Sequence, residues 1–192
     1  MAERDVLTVI VNGLPGAGKS TLASRLAERL DLPLFSKDAV KETIADALSD
    51  IRPDTMPQRE WSRALGAAAM GTLWTLLAEA RGRAVLEAPW LAHHRQFAID
   101  GLNRAGIDPQ VVHEVWCDIP ATVARARYTA RVPQRHAIHP ESDGRTDGEW
   151  ELWERNAEPL GVGIVHRVDT SAHIDEIYVA IDALAVQLRT GR

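Results

Sequence analysis

The sequence predicts an α/β domain built on a five-stranded parallel sheet, in the order 2-3-1-4-5, with helices on both faces. Three observations carry that prediction. The apolar run "VLTVIV" opens directly onto the glycine-rich "GLPGAGKST", strand-like and helix-like segments then alternate to the end of the chain, and one long irregular stretch falls at 132–149. With 192 residues the chain suits a single such domain, 1–192, carrying a lid at approximately 120–150, and leaves little room for a second.

Residues 6–11 have the length and β-branched content of a buried strand, which places the first strand at 6–12. In "STLASRLAERL" the leucines recur at Leu22, Leu26 and Leu30, the spacing of a helix over 19–30. A strand at 32–36 leads into a helix at 37–49, and a long helix follows at 57–81, where the small residues of "ALGAAAMG" suit close packing. Gly82 ends that helix, and "RAVLEA" forms a strand at 83–88 before a helix at 93–105. The turn-forming "GIDP" precedes a strand at 110–117. The next helix, 120–131, has Asp118 as its candidate cap and Pro120 where a missing N–H costs nothing. Helices at 148–157 and 173–189 flank a last strand at 163–169. The stretch 132–149 is long for a connection in a compact domain, which marks it as a functional lid or a disordered piece.

Chemistry enters with the loop. Gly13, Leu14, Pro15, Gly16, Ala17, Gly18, Lys19, Ser20 and Thr21 fit the G-x4-G-K-[ST] pattern, whose successive backbone N–H groups surround the phosphates of a nucleotide. The three glycines let the backbone take positive φ and approach oxygen closely. Lys19 reaches the β- and γ-phosphates, and the Ser20 hydroxyl reaches a Mg²⁺ ion.

Ser36, Lys37 and Asp38 fall at the end of the second strand, and in a parallel sheet the ligand crevice lies beyond the carboxyl ends of the strands. Asp38 is therefore a candidate base for a substrate hydroxyl attacking the γ-phosphate; it would equally cap the helix that follows. Lys37 and Lys41 are crevice cations or solvated charges. Glu87 ends the third strand beside the first, where an acidic group orders Mg²⁺ or its water shell or hydrogen-bonds the acceptor. Trp90, just downstream, either packs or offers a stacking surface to the substrate. Arg125, Arg127, Arg131 and Arg135 lead into the lid, followed by His136 and His139. Arg127 and Arg131 are four apart and share a helix face, so both can meet one polyphosphate, with Arg135 toward the acceptor. The "HAIH" pair falls short of a zinc pattern.

Composition limits the partners. Twenty-seven acidic against 22 basic residues give −5, so the chain as a whole is no polyanion-binding block and any basic patch must be local. Cys117 stands alone, which permits no internal disulfide and suits a reducing cytoplasm. The N-terminal charges run straight into the strand that carries the loop, so cleavage there as a signal peptide would destroy the site. The longest uncharged stretch, 64–78, is short of the ~20 apolar residues that span a bilayer.

Together "GLPGAGKST", "SKDAVKE", "VLEAPW", "ARARYTARVPQRHAIHP" and "EPL…HRVDTS" resemble the small P-loop kinases often labelled AAA-type ATPase domains, relatives of polynucleotide kinase, gluconate kinase and chloramphenicol phosphotransferase. The resemblance runs from residue 6 to about 171. It implies the P-loop NTPase fold and an ATP-dependent kinase, with Mg²⁺, that moves phosphate to a hydroxyl of a metabolite or antibiotic in the cytoplasm, as a monomer or homodimer. On that pattern Asp38 activates the acceptor, Arg127 and Arg131 belong to the lid, and residues 168–171, with Asp169 and Thr170, lie against the adenine. The chain departs from the pattern in carrying Glu87 where many relatives have Asp, and in lacking the "DGFPR"-like run of nucleoside monophosphate kinases. Residues 50–80 and 140–156 are expected on the acceptor side. A polynucleotide 5′-hydroxyl kinase and a non-catalytic ATP sensor are the alternative readings; net charge and few aromatics disfavour nucleic acid.

Overall fold

The computed structural model describes residues 6–139 and 147–190. Strands β1 (Leu7–Asn12), β2 (Leu34–Ser36), β3 (Arg83–Glu87), β4 (His113–Asp118) and β5 (Ile164–Asp169) pair in parallel, in the expected order β2-β3-β1-β4-β5. Helices α1 (Lys19–Leu30), α2 (Lys37–Ala47), α3 (Gln58–Glu79), α4 (Arg95–Arg104), α5 (Ala121–Arg131), α6 (Asp147–Arg155) and α7 (Ile174–Thr190) cross over between the strands or follow them.

Alternation along β1 divides the core. Val9 and Val11 enter one cluster with Leu22 and Leu26 of α1 and Ile181 and Leu184 of α7, while Ile10 between them enters a second with Leu73 and Leu77 of α3 and Leu102 of α4. Each face of the sheet is thereby covered, as a parallel sheet requires. Arg25 and Arg29 of α1 both fork onto Asp182 of α7 at 2.7–3.0 Å, an exposed clamp over the first cluster. Gly82 turns the chain out of α3 at φ +71°, its N–H donating to the Leu77 carbonyl, so it stops the helix as expected.

Two expectations shift by a few residues for local reasons. Residues Pro109–Val111 form a 3₁₀ turn capped by Asp108, whose Oδ1 accepts from Gln110 N, so β4 starts only at His113. Ala92–His94 form another, so α4 starts at Arg95. A third expectation is corrected: Asp118 does not cap α5, whose N-cap is Pro120 with no side-chain cap bond. Its carboxylate turns to Arg167 at 3.4 Å, and its carbonyl accepts from Thr170. Within the expected lid, Val132–Gln134 form a 3₁₀ turn and α6 supplies Trp150 and Trp153, while 140–146 lie outside the described residues. No helix among the described residues is long and apolar enough to cross a membrane.

Candidate active site

At the carboxyl ends of β1, β2 and β3 a single cleft of about 1170 Å³ opens, lined by the phosphate loop, the first turns of α2, the N-terminal half of α3 and the lid. The loop is held from inside. Leu14 and Ala17 are buried, Ala17 N donates to the Leu14 carbonyl at 3.0 Å, and the Lys19 ammonium folds back onto that carbonyl at 2.9 Å. Burial pushes the Lys19 ammonium below the usual lysine range, and the nearby Glu87 carboxylate opposes that fall. Gly13, Gly16 and Gly18 adopt φ of 145°, 90° and 85°. Pro15 lines the cleft, whereas Thr21 lies exposed one turn into α1.

Gly16 is the position where a side chain is excluded. A Cβ there would stand 2.1 Å from the Ala124 carbonyl of α5, so the loop and the lid helix meet backbone to backbone. Gly16→Ala is expected to cost roughly 2–4 kcal/mol through the clash and the positive φ, or about 5–10 °C in Tm, read by thermal melting with and without ATP.

Glu87 sits at the floor, 5% exposed, accepting from Ser36 Oγ at 2.6 Å and from Ser20 Oγ at 3.5 Å. Its burial is tolerated because two hydroxyls and the Lys19 charge face it. Ser20 and Glu87 thus place a hydroxyl and a carboxylate side by side against the phosphate loop. Such hard oxygen donors fit a Mg²⁺ ion that takes its remaining ligands from water and phosphate. Among the described residues no group of three or more His, Cys, Asp or Glu side chains is arranged to hold a metal on its own.

Asp38 opens onto the same cleft. Burial works to raise its pKa, yet the Lys37 ammonium at 2.9 Å, with His139 and Lys19 beyond, holds it down to about 2. Lys41 is buried and donates to Ser62 Oγ of α3 at 2.7 Å, tying α2 to α3. Cys117, behind the loop, is a buried thiol that burial pushes up to about 12, so it stays protonated.

The lid arginines separate. Arg131 and Arg135 line the cleft, Arg135 donating to Tyr128 Oη at 2.6 Å. Arg127 does not line it: its guanidinium donates to the Thr170 carbonyl at 2.8 Å, which corrects the expectation that both arginines of the pair meet the phosphates. Asp169 and Thr170 lie with Arg127, outside the cleft; Thr170 Oγ1 donates to the Asp118 carbonyl and Asp169 Oδ1 accepts from the N–H and hydroxyl of Ser171. Trp90 is also corrected as a substrate surface. It is 1% exposed, stacked on Trp74 with centroids 5.6 Å apart, and its Nε1 donates to Met70 Sδ. Trp150 and Trp153 pack edge-on with Tyr128 beneath the lid, and Trp153 reaches the cleft rim.

Arg59, Ser62, Arg63 and Gly66 of α3 line the cleft from within the 50–80 stretch expected on the acceptor side, though none was singled out there, and Glu42 of α2 and His93 and His94 before α4 went unmarked. The α3 set has the spacing i, i+3, i+4, i+7 of one helix face, a signal hidden because the face is polar. The "HAIH" histidines clasp α2. His136 Nε2 meets Asp46 Oδ1 at 2.9 Å and His139 Nε2 meets Glu42 Oε1 at 2.6 Å.

Burial holds His94, His113, His139 and His166 below the usual 6.5, and His113 Nδ1 lies 3.0 Å from His166 Nε2, where two positive rings would repel. Because each folded pKa is lowered, the unfolded chain binds more protons, and the stabilisation present above 6.5 is lost as the pH falls. The Tm is therefore expected to fall steadily between about pH 7.5 and about pH 5.5, and His113→Gln is expected to flatten part of that slope.

A phosphate loop on β1, a carboxylate after β2, an acid on β3 and an arginine lid over a 2-3-1-4-5 parallel sheet define the small P-loop kinase class. The chain belongs to the AAA domain family, whose model matches residues 8–159. A candidate kinase from Chloroflexus aurantiacus J-10-fl superposes with a TM-score of 0.76 at 29% identity, over 97% of this chain and 98% of that one. A gluconokinase from Sinorhizobium meliloti 1021 shares the fold at a TM-score of 0.59 and 19% identity, over 97% and 95% of the two chains. A shikimate kinase from Rhodococcus jostii RHA1 is 50% identical over 52 residues, a match spanning 27% of this chain and 29% of that protein.

Proposed function

We propose that the protein is an ATP-dependent kinase that transfers the γ-phosphate to a hydroxyl of a small metabolite or antibiotic. The observation that carries this reading is the convergence of Lys19, Ser20, Glu87, Asp38 and Arg131 on one cleft. The phosphate loop and Lys19 hold the triphosphate tail, and Asp38 faces it from the first turn of α2, where the acceptor hydroxyl would stand. The acceptor oxygen forms a bond to the γ-phosphorus as the bond to the β,γ-bridging oxygen breaks, ADP departs, and the hydroxyl proton passes to the Asp38 carboxylate. Lys19 and Arg131 stabilise the charge on the transferring group, and the lid excludes water that would otherwise hydrolyse ATP. Magnesium, held by Ser20 and Glu87, would supply charge neutralisation on the phosphate oxygens.

Relatives named gluconokinase and shikimate kinase support a compact hydroxylated acceptor. The test is incubation of a metabolite extract with γ-labelled ATP, with Lys19→Ala as the blank. A labelled product formed only by the unaltered protein is the expected result. Tight ATP binding without transfer to any hydroxyl would instead favour a nucleotide sensor.

A further inference from the structure

The far end of the described lid is fastened to the helix that carries Asp38. Residues 136–139 form a self-closed turn, in which His139 N donates to the His136 carbonyl at 3.0 Å and Ile138 N donates to His136 Nδ1 at 3.1 Å. With Nδ1 accepting, the His136 proton lies on Nε2 and goes to Asp46 Oδ1 at 2.9 Å. His139, 5% exposed, meets Glu42 Oε1 through Nε2 at 2.6 Å; a carboxylate only accepts, so Nε2 is the donor there too. Between the two histidines, Ile138 shares a buried cluster with Ala45 of α2 and Leu65 of α3, and the Ala137 carbonyl accepts from Gln58 Nε2 at 3.0 Å.

Asp38, Glu42 and Asp46 stand four apart on one face of α2, so the two clasps continue the line on which Asp38 stands, and Glu42 is one turn from it. His139 lies near enough to Asp38 for its charge to bear on that carboxylate. The start of α2 also lacks the side-chain cap that would otherwise fix it: Ser36, at the N-cap position, makes no capping bond and gives its hydroxyl to Glu87. On its other side the same lid carries Arg131 and Arg135 to the cleft. One docked segment therefore sets the spacing between the lid cations and the carboxylate of α2. Reacting groups tolerate little slack, a displacement of ~1 Å costing on the order of 10²-fold in rate.

We propose that His139, acting through Glu42, is a positioning residue for Asp38, holding the base in register with Lys19 and Arg131. The proposal rests on the kinase reading above and adds to it the contact that keeps its two halves aligned. The His136–Asp46 pair, a further turn away and with Asp46 exposed, secures the segment without setting the carboxylate.

The test measures label transfer from saturating γ-labelled ATP to the acceptors of a metabolite extract by the unaltered protein, His139→Ala, His139→Gln, Glu42→Ala and the Glu42→Ala/His139→Ala double variant. His139→Ala is expected to lose roughly ten-fold or more in rate, with the KM for ATP within about three-fold. Glutamine places an amide donor where Nε2 stood, so His139→Gln is expected within about three-fold of the unaltered protein. Glu42→Ala should match His139→Ala, and the double variant should be slower than either by no more than about two-fold, because both changes remove one clasp. A His139→Ala rate equal to that of the unaltered protein, a His139→Gln rate as low as that of His139→Ala, or losses that multiply in the double variant overturn the proposal and leave the kinase reading standing. No product from the unaltered protein overturns both. Melting curves accompany each rate, since His139 is buried; should His139→Ala not fold, Glu42→Ala, whose side chain is 37% exposed, is read beside His139→Gln. A loss in the first with retention in the second supports the clasp, and an unaltered rate in Glu42→Ala overturns it.

Discussion

Asp38→Asn is expected to slow phosphate transfer by about 10²–10⁴-fold while leaving the affinity for Mg–ATP within about two-fold, measured by single-turnover transfer beside calorimetry with ATP. Asparagine keeps the shape of the side chain at the start of α2 and can still accept a hydrogen bond from an acceptor hydroxyl. It cannot take the proton. In the proposed reaction ATP lies on the phosphate loop and Lys19, which meet Asp38 only through the cleft, so the loss should fall on the chemical step and not on nucleotide binding.

The low pKa of Asp38 shapes the pH profile. Lys37 keeps the carboxylate ionised down to about pH 2, so Asp38 is ready to accept at every working pH, but it is a weak base. A weak base suits a loose phosphoryl transition state, in which the attacking oxygen keeps its proton until bonding is well advanced. The rate should therefore show no acid limb from Asp38 above about pH 4, and any limb seen there belongs to another group, His139 being the nearest titrating neighbour. Transfer by Asp38→Asn within about three-fold of the unaltered protein would remove this carboxylate from the mechanism.

The sheet was legible because its signals are local and repetitive. β-branched runs opened by Gly82 or by "GIDP" could be read as strands, and the G-x4-G-K-S pattern tied the first strand to a nucleotide-binding loop. The 50–80 stretch could be assigned to this side of the fold, but not its lining residues, because Arg59, Ser62 and Arg63 belong to a helix whose polar residues look like any solvated face until a second helix is packed beside it. Arg127 misled for a related reason. Helical spacing places it on the face of Arg131, but spacing cannot reveal that the carbonyl of Thr170, 43 residues along, lies within its reach. Trp90 was ambiguous because burial decides between packing and stacking, and burial depends on Trp74 of the distant helix α3.

Glu114 is a carboxylate inside the apolar strand "VVHEVWC", and the structure gives it a demanding role. It is 0% exposed. Oε1 accepts from Asn12 Nδ2 at 2.9 Å and Leu160 N at 2.7 Å, and Oε2 accepts from Gly161 N at 2.9 Å and Val162 N at 3.2 Å. Asn12 in turn accepts from Gly13 N at 2.7 Å, so one buried side chain joins the entry of the phosphate loop to the turn before β5. Arg95 holds the opposite side of that turn through the Leu160 and Gly161 carbonyls.

Glu114→Ala strands four N–H groups at once, three of them buried, and is expected to cost about 3–5 kcal/mol, or roughly 10 °C or more in Tm. Glu114→Gln should not rescue it. Whichever way the amide turns, its NH₂ faces two N–H donors where an oxygen stood, so a near-isosteric change should still lose about 2 kcal/mol or more. Because Asn12 passes the restraint to Gly13, ATP affinity should fall in both variants under conditions where they remain folded. Melting curves with and without saturating Mg–ATP read both effects, since a loosened loop gives a smaller ligand-induced rise in Tm. A Glu114→Gln protein that melts with the unaltered one would show that this carboxylate is replaceable and that the loop is held in place without it.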